Sequence, residues 1–257
     1  MLTSSQVTVI LNVWRRNYIE EQIEALLSQS VTPQKIWLLQ QCNHISVEKI
    51  IKKYHPMVDY FYSSIDLKYF CRFSIAHLVN TKYLWILDDD VIPSKGWIEL
   101  CLQMIEEKNS IISPNGRILP KGDLTPELPK HKDYLTTYFI GDGHNRPQTT
   151  LCENDTVVDF GCTSFFMKTE WLKYFWNIQP FTFETGEDIH LSASCKLLGN
   201  IATIVPKQQA VTTGNLKCTY SYDMFASWKK NDFLTRRTEI FKYLITQHRW
   251  QPILWPK

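Results

Sequence analysis

Three consecutive carboxylates, Asp88, Asp89 and Asp90, directly follow the apolar run Tyr83-Leu84-Trp85-Ile86-Leu87. Adjacent like charges repel, so a folded chain that gathers them needs a source of positive charge. A hard divalent cation supplies it, because Mg2+ or Mn2+ prefers carboxylate oxygen and can bridge to phosphate oxygens. Read as extended chain, the triplet points Asp88 and Asp90 to one side. One of them can then bind metal while its neighbour meets another group. The competing reading is a solvated loop or a helix cap, and the apolar strand immediately before the triplet speaks against it.

A second acidic site is Glu184-Thr185-Gly186-Glu187-Asp188-Ile189. Gly186 permits a turn, and Glu187 and Asp188 fall at the start of a helix, where negative charge is favoured. Taken alone this is only a helix start. Paired with the upstream Asp cluster, it offers a carboxylate that can take a proton from a hydroxyl. Between the two lies Phe160-Gly161-Cys162-Thr163-Ser164-Phe165-Phe166, where Gly161 sets a small residue beside a turn.

The elements that must position these groups alternate between strand and helix. Apolar runs at residues 7–11, 35–39, 58–62 and 83–87 read as strands. Amphipathic stretches at residues 19–26, with Asn17 as a cap, at 47–54 before Pro56, and at 71–79 read as the helices between them. Such alternation implies βαβ units and a mainly parallel sheet, which binds ligands beyond the carboxyl ends of its strands. The Asp triplet sits at such an end. Further on, Trp97, Leu100, Cys101 and Met104 suit one helix face, and residues 136–140, 157–160, 164–168 and 201–205 read as strands. Residues 188–198 read as a helix with Gly199 just beyond its end. A last helix, 232–248, would bury Phe233, Ile240, Phe241, Leu244 and Ile245. Two polar stretches, 114–132 and 141–155, read as functional loops.

At 257 residues and 44% hydrophobic, the chain suits one sizeable α/β domain. A formal charge of +2 gives no basic field for nucleic acid. Seven cysteines without a C-x-x-C pair argue against a structural zinc site or a disulfide framework and favour reduced thiols. No run approaches the ~18 apolar residues that span a bilayer, and the first residues lack a signal-peptide pattern, so a cytoplasmic location is expected. The nine Trp residues serve core packing, or one or two form platforms for sugar rings.

Together these motifs resemble the GT-A glycosyltransferase fold, related to family 2, and more narrowly the exostosin-type enzymes. The resemblance rests on Arg72-Phe73, Leu87-Asp88-Asp89-Asp90-Val91, Phe160 to Phe166 and Glu187-Asp188-Ile189, in that order, and spans roughly residues 7–205. It implies a Rossmann-like, mixed but mainly parallel sheet flanked by helices, with a C-terminal helical extension. It implies one domain over residues 1–257: a nucleotide-sugar-binding half at 1–110, an acceptor and catalytic half at 111–215, and the helical extension at 216–257. Its implied cofactors are Mn2+ or Mg2+ and a nucleotide-sugar donor, usually a UDP-sugar, and its partner is a glycan or glycoconjugate acceptor.

By the same resemblance, Asn12, Arg15 and Asn43 would contact the nucleoside, and Arg72 the nucleotide sugar or its diphosphate. Asp88 and Asp89 would contact ribose and donor sugar, Asp90 would bind the metal with Asp88 as second ligand, and Gly161 would allow the sugar a close approach. Asp188, beside Glu187, would serve the chemical step: exostosin-type enzymes retain anomeric configuration, whereas family-2 relatives invert it with that Asp as base. Two departures stand out. Residues 208–215 lack the His that often completes the metal site, and Gly186 stands where exostosin-type chains carry a Cys. The other readings are a sugar-nucleotide nucleotidyltransferase, which usually has a Gly-rich loop where this chain has Asn12-Val13-Trp14-Arg15-Arg16-Asn17, and a non-catalytic glycan-binding module.

Overall fold

The computed structural model describes residues 6–119, 139–141, 152–208, 215–217 and 223–255. The first half is a run of βαβ units: β1 (Val7–Val13), α1 (Ile19–Leu27), β2 (Lys35–Gln41), α2 (Glu48–Tyr54), β3 (Val58–Ser63), α3 (Cys71–Ile75) and β4 (Tyr83–Leu87). The expected helix over 71–79 is α3 followed by a 3-10 turn at Ala76–Leu78. The chain continues through β5 (Ile92–Pro93), α4 (Trp97–Lys108), β6 (Ile111–Ile112), β7 (Asn115–Arg117) and β8 (Phe139–Ile140). After β8 come β9 (Thr156–Val158), β10 (Phe160–Cys162), β11 (Ser164–Lys168), α5 (Leu172–Asn177), α6 (Glu187–Gly199), β12 (Thr203–Val205), β13 (Asn215–Lys217) and α7 (Phe233–His248).

Eight strands form the main sheet in the order β3-β2-β1-β4-β11-β6-β12-β9. The first four are parallel, as the alternation requires, while β11 runs antiparallel to both β4 and β6. Helices cover both faces of a parallel sheet, so its central strands are apolar throughout. Every residue of β4 is buried, and β1 is buried along nearly its whole length. A smaller antiparallel sheet, β10-β7-β8, stands beside the main one, and β13 pairs with β5.

Several local expectations are corrected. Strand 157–160 is two strands, β9 and β10, parted at Asp159. The Asp159 carboxylate leaves the ladder to accept the backbone N–H groups of Leu119 (2.6 Å) and Ile253 (2.8 Å), and burial pushes it up to about 6. Part of the first polar stretch is the strand β7. Residues 120–132 of that stretch, 136–138 of the strand expected there, and 142–151 of the second polar stretch lie outside the described residues. No side chain caps α1, which starts after Tyr18 rather than at Asn17. At the end of α6 the left-handed residue is Asn200 (φ 51°), and Gly199 is the last helical residue.

Helix α7 packs on α6 and β10 through Ile240, Phe241 and Leu244, which form a second apolar cluster with Phe160, Ile189, Ala193 and Trp250. Phe233 and Ile245, expected inside, are half-buried, and Arg237 takes a buried place instead. Cys42, Cys71, Cys101, Cys152 and Cys195 are free thiols, and Cys218 lies outside the described residues. Among the described residues, no helix is long and apolar enough to cross a membrane.

Candidate active site

Strands β1 and β4 are parallel and in register, with Leu11 paired to Leu87, where β4 ends two residues before β1 does. Just past that edge Asn12 Nδ2 donates to the Leu87 carbonyl (3.2 Å), which ties the strand ends to each other. Reversed strand β11 begins at the same place, with Ser164 opposite Leu87. The residue before it, Thr163, has φ 63° and offers its carbonyl to the Asp88 N–H (2.9 Å). The chain then turns back, the Val91 N–H reaching the Asp88 carbonyl. Buried Gln22 of α1 pins the turn by donating to the carbonyls of Asp88 (2.7 Å) and Val91 (2.8 Å).

The triplet is therefore a turn, and the alternation expected of an extended segment does not apply. Asp89 and Asp90 both face Arg16, at 2.6 and 3.5 Å, while Asp88 pairs with Arg72. Arg16 is held on its other edge by Asp223, 2.5 Å from its Nε. Burial raises the Asp90 carboxyl to about 7, with repulsion from Asp88 adding to it and Arg16 opposing. Burial also raises Asp89, against the pull of Arg16.

Arg72, expected at the nucleotide sugar or its diphosphate, is 3% exposed and lies between two carboxylates. One terminal nitrogen donates to Asp88 and the other to Glu187 Oε1 (2.5 Å). Its Nε is buried without a partner. A guanidinium stays charged even when buried, and such pairing offsets the cost of taking it out of water. Glu187 is buried as well, which pushes its carboxyl up to about 7 against the pull of Arg72. The two acidic motifs thus meet through one side chain.

Gly186 makes the entry to α6 possible. Its φ of +82° is one that side chains rarely adopt, and an added Cβ would meet Ile240 Cδ1 at 2.3 Å. Asp188 follows in the first turn. Its Oδ1 accepts the Ile189 N–H (2.8 Å), and Arg237 of α7 donates to both oxygens, at 3.2 Å to Oδ1 and 2.8 Å to Oδ2. Arg237 and Arg16 were not singled out from the sequence. Arg15, which was, is exposed and lies over the rings of Trp14 (4.5 Å) and Phe225 (5.6 Å). Trp14 in turn stands edge-on to His44, 5.9 Å away. Asn43 is exposed beside His44. Gly161 faces inward: an added Cβ would lie 2.7 Å from Ser113, so its small size serves strand packing.

Six carboxylates (Asp88, Asp89, Asp90, Glu187, Asp188, Asp223) meet three guanidiniums (Arg16, Arg72, Arg237) in these ion pairs. The surplus is negative. Among the described residues no three His, Cys, Asp or Glu side chains converge as a ready metal cage. The acids are instead divided among three arginine-centred groups.

Comparison with known proteins identifies the family and the fold. The family model for glycosyl transferase family 2 matches residues 5–175. No curated protein matches the chain. Among solved structures, the crystal structure of TarS from S. aureus is similar, with a TM-score of 0.55 at 14% identity, over 93% of this chain and 40% of that one. The chain thus spans well under half the length of that protein, and the likeness is one of fold. The family match takes in β1 to β4, the acid triplet and β11. The chain belongs to glycosyl transferase family 2 and has the GT-A fold.

Proposed function

We propose that the chain is a metal-dependent glycosyltransferase that moves a sugar from a UDP-sugar onto a hydroxyl of a glycan or glycoconjugate, inverting the anomeric centre. The observation that carries this reading is the joined pair of acidic motifs. The triplet at the end of β4 and the Glu187-Asp188 start of α6 share Arg72, and the ion pairs around them hold a negative surplus.

The donor set fits the implied cation. Carboxylate oxygens suit Mn2+ or Mg2+, and the Asp90 carboxyl is raised to about 7 by burial and by Asp88 although Arg16 opposes it, so further positive charge would be welcome there. In this reading Asp90, with Asp88, would hold the cation, which would supply positive charge for the departing diphosphate. Arg16 fixes Asp89 beside the ribose. The nucleoside lies across the outer edge of the loop, by Asn12, Trp14, Arg15 and Asn43. The narrow packing at Gly161 keeps the wall of the sugar pocket close.

Asp188 takes the proton. The acceptor oxygen bonds to the anomeric carbon, the bond from that carbon to the diphosphate oxygen breaks, and the acceptor hydroxyl proton passes to Asp188. Inversion accords with family 2, in which this Asp acts as base behind the acceptor oxygen. Glu187, paired with Arg72, holds the start of α6 in place. The test is a panel of UDP-sugars assayed for UDP release with and without Mn2+. Metal-dependent release from one donor supports the reading, and metal-independent release or none from any donor overturns it.

A further inference from the structure

The residue that faces Asp188 comes from an element that the family model does not reach. The match ends at residue 175, short of Asp188 and of Arg237, which lies in the second turn of α7. Helix α7 nevertheless delivers a guanidinium to the carboxylate at the start of α6. Its two terminal nitrogens lie 3.2 and 2.8 Å from the two oxygens of Asp188, the fork geometry in which arginine and carboxylate fix each other's plane.

The pair is built rather than incidental. Arg237 is 7% exposed, and its guanidinium carbon lies 5.0 Å from the centroid of Phe160 and 5.1 Å from that of Phe233. Phe160 itself is fully buried, so one of the rings that seat the guanidinium belongs to the rigid core. The apolar contacts of Ile240, Phe241 and Leu244 fix α7 against α6 on the following turns. Asp188 retains a narrow opening, its side chain being 13% exposed. Oδ1 already carries two donors, the Ile189 N–H and Arg237. Oδ2 receives one, from Arg237, and a carboxylate oxygen has two lone pairs. The oxygen with spare capacity is therefore Oδ2, in the one plane that Arg237 sets.

We propose that Arg237 is a positioning residue for the transfer step: it holds the Asp188 carboxylate in a single plane with Oδ2 open to the acceptor hydroxyl, and it carries the compensating charge that keeps this acid in a site already rich in carboxylates. This rests on the reading of Asp188 as the base. It assigns to the C-terminal helix a share in the chemistry rather than only a place in the packing. Arg237 acts through Asp188 and touches no reacting atom. Its loss therefore bears on turnover and leaves donor binding, which lies on the β1 and β4 side, unchanged.

A double-mutant cycle on kcat tests it, using Arg237→Gln, Asp188→Asn and the combined variant, with UDP affinity measured in each by calorimetry and folding by thermal melting. Arg237→Gln is expected to lower kcat about tenfold or more while UDP affinity stays within about twofold, and Arg237→Lys, which keeps the charge but not the fork, to recover part of the loss. The combined variant is expected to match Asp188→Asn to within about twofold, because Arg237 has no further role once the carboxylate is gone. Losses that multiply, or Arg237→Gln turnover equal to wild type, overturn the proposal while leaving Asp188 as base. Full turnover in Asp188→Asn overturns the assignment of the base instead, and the two failures are distinct. If Arg237→Gln does not fold, Arg237→Lys carries the test: wild-type kcat in that variant counts against the fork, and a lowered kcat at unchanged UDP affinity supports it.

Discussion

Asp88 and Glu187 come from opposite halves of the chain and share the guanidinium of Arg72. Glu187 is buried and Asp88 is partly exposed, and the buried arginine between them supplies the charge that both carboxylates pair with. Removing one partner of a buried ion pair is far costlier than the pair is worth, because the remaining charge is left uncompensated. Arg72→Met keeps most of the side chain's volume and deletes the charge. It is expected to destabilise the fold by about 3–5 kcal/mol, read from chemical denaturation at neutral pH. A change below about 1 kcal/mol, the range of a surface ion pair, would show that the pairing is incidental.

Metal-assisted nucleotide binding is expected to depend on Asp90. Asp90→Ala should largely abolish UDP binding in the presence of Mn2+, and calorimetry showing wild-type affinity in that variant sinks the assignment.

The same carboxyl gives the binding a pH dependence. Held near 7 when no cation is present, it must lose its proton for Mn2+ to bind, so binding releases a proton near neutrality. Below that point Mn2+ affinity should fall by roughly tenfold for each pH unit. Calorimetry in buffers of different ionisation enthalpy measures the released proton, and a heat independent of buffer at pH 6.5 contradicts the expectation.

Gly186 sets the direction of α6. With φ at +82° and Ile240 close by, Gly186→Ala meets both backbone strain and a side-chain collision. The strain alone costs about 1–2 kcal/mol, and the Ile240 methyl must move as well. Because the shift occurs two residues before Asp188, kcat is expected to fall along with the melting temperature. An alanine variant with unchanged melting and turnover would mean that α6 tolerates a different entry.

His190 is buried against Phe175, whose carbonyl it meets at 2.8 Å, and burial lowers its pKa from 6.5 to about 4. Above pH 6.5 both folded and unfolded chains carry it neutral, and its full contribution is present. As the pH falls from 6.5 to 4 the unfolded chain takes up a proton that the folded chain refuses, so stability is lost over that window, by up to about 3 kcal/mol. Buried carboxyls with raised values act in the opposite sense over part of this range, so the comparison is between wild type and His190→Gln. The variant should show the shallower loss of stability from pH 6.5 to 4, and parallel curves would exclude His190 as a source.

The strands that position the site were legible because their signal is local. Residues 83–87 are a continuous apolar run and residues 164–168 carry an apolar centre from Phe165 to Met167, and both are strands over those bounds. The acids were legible as well, since their clustering is written in consecutive positions. Their geometry was not. Whether residues 88–90 extend or turn depends on Gln22, far away in sequence and reaching in from α1. The arginines were harder still. On α7 a charged residue reads as solvent-facing, and nothing near Arg237 in sequence reveals the carboxylate on α6 that draws it inside. Arg16 could have been preferred to Arg15 only by knowing that Asp223 returns to meet it.

The reversed course of β11 has a consequence for how this rim can vary. In a wholly parallel sheet, the carboxyl edge is furnished only by segments that leave strands. Here β11 arrives at that edge with its first residue, so the segment leading into it, through Gly161 and Thr163, stands beside the segment leaving β4. One bank of the cleft is thus an exit and the other an entrance. Changes in length or composition upstream of β10 can reshape the entrance side without altering the register of β4, and so without displacing the acids that follow it.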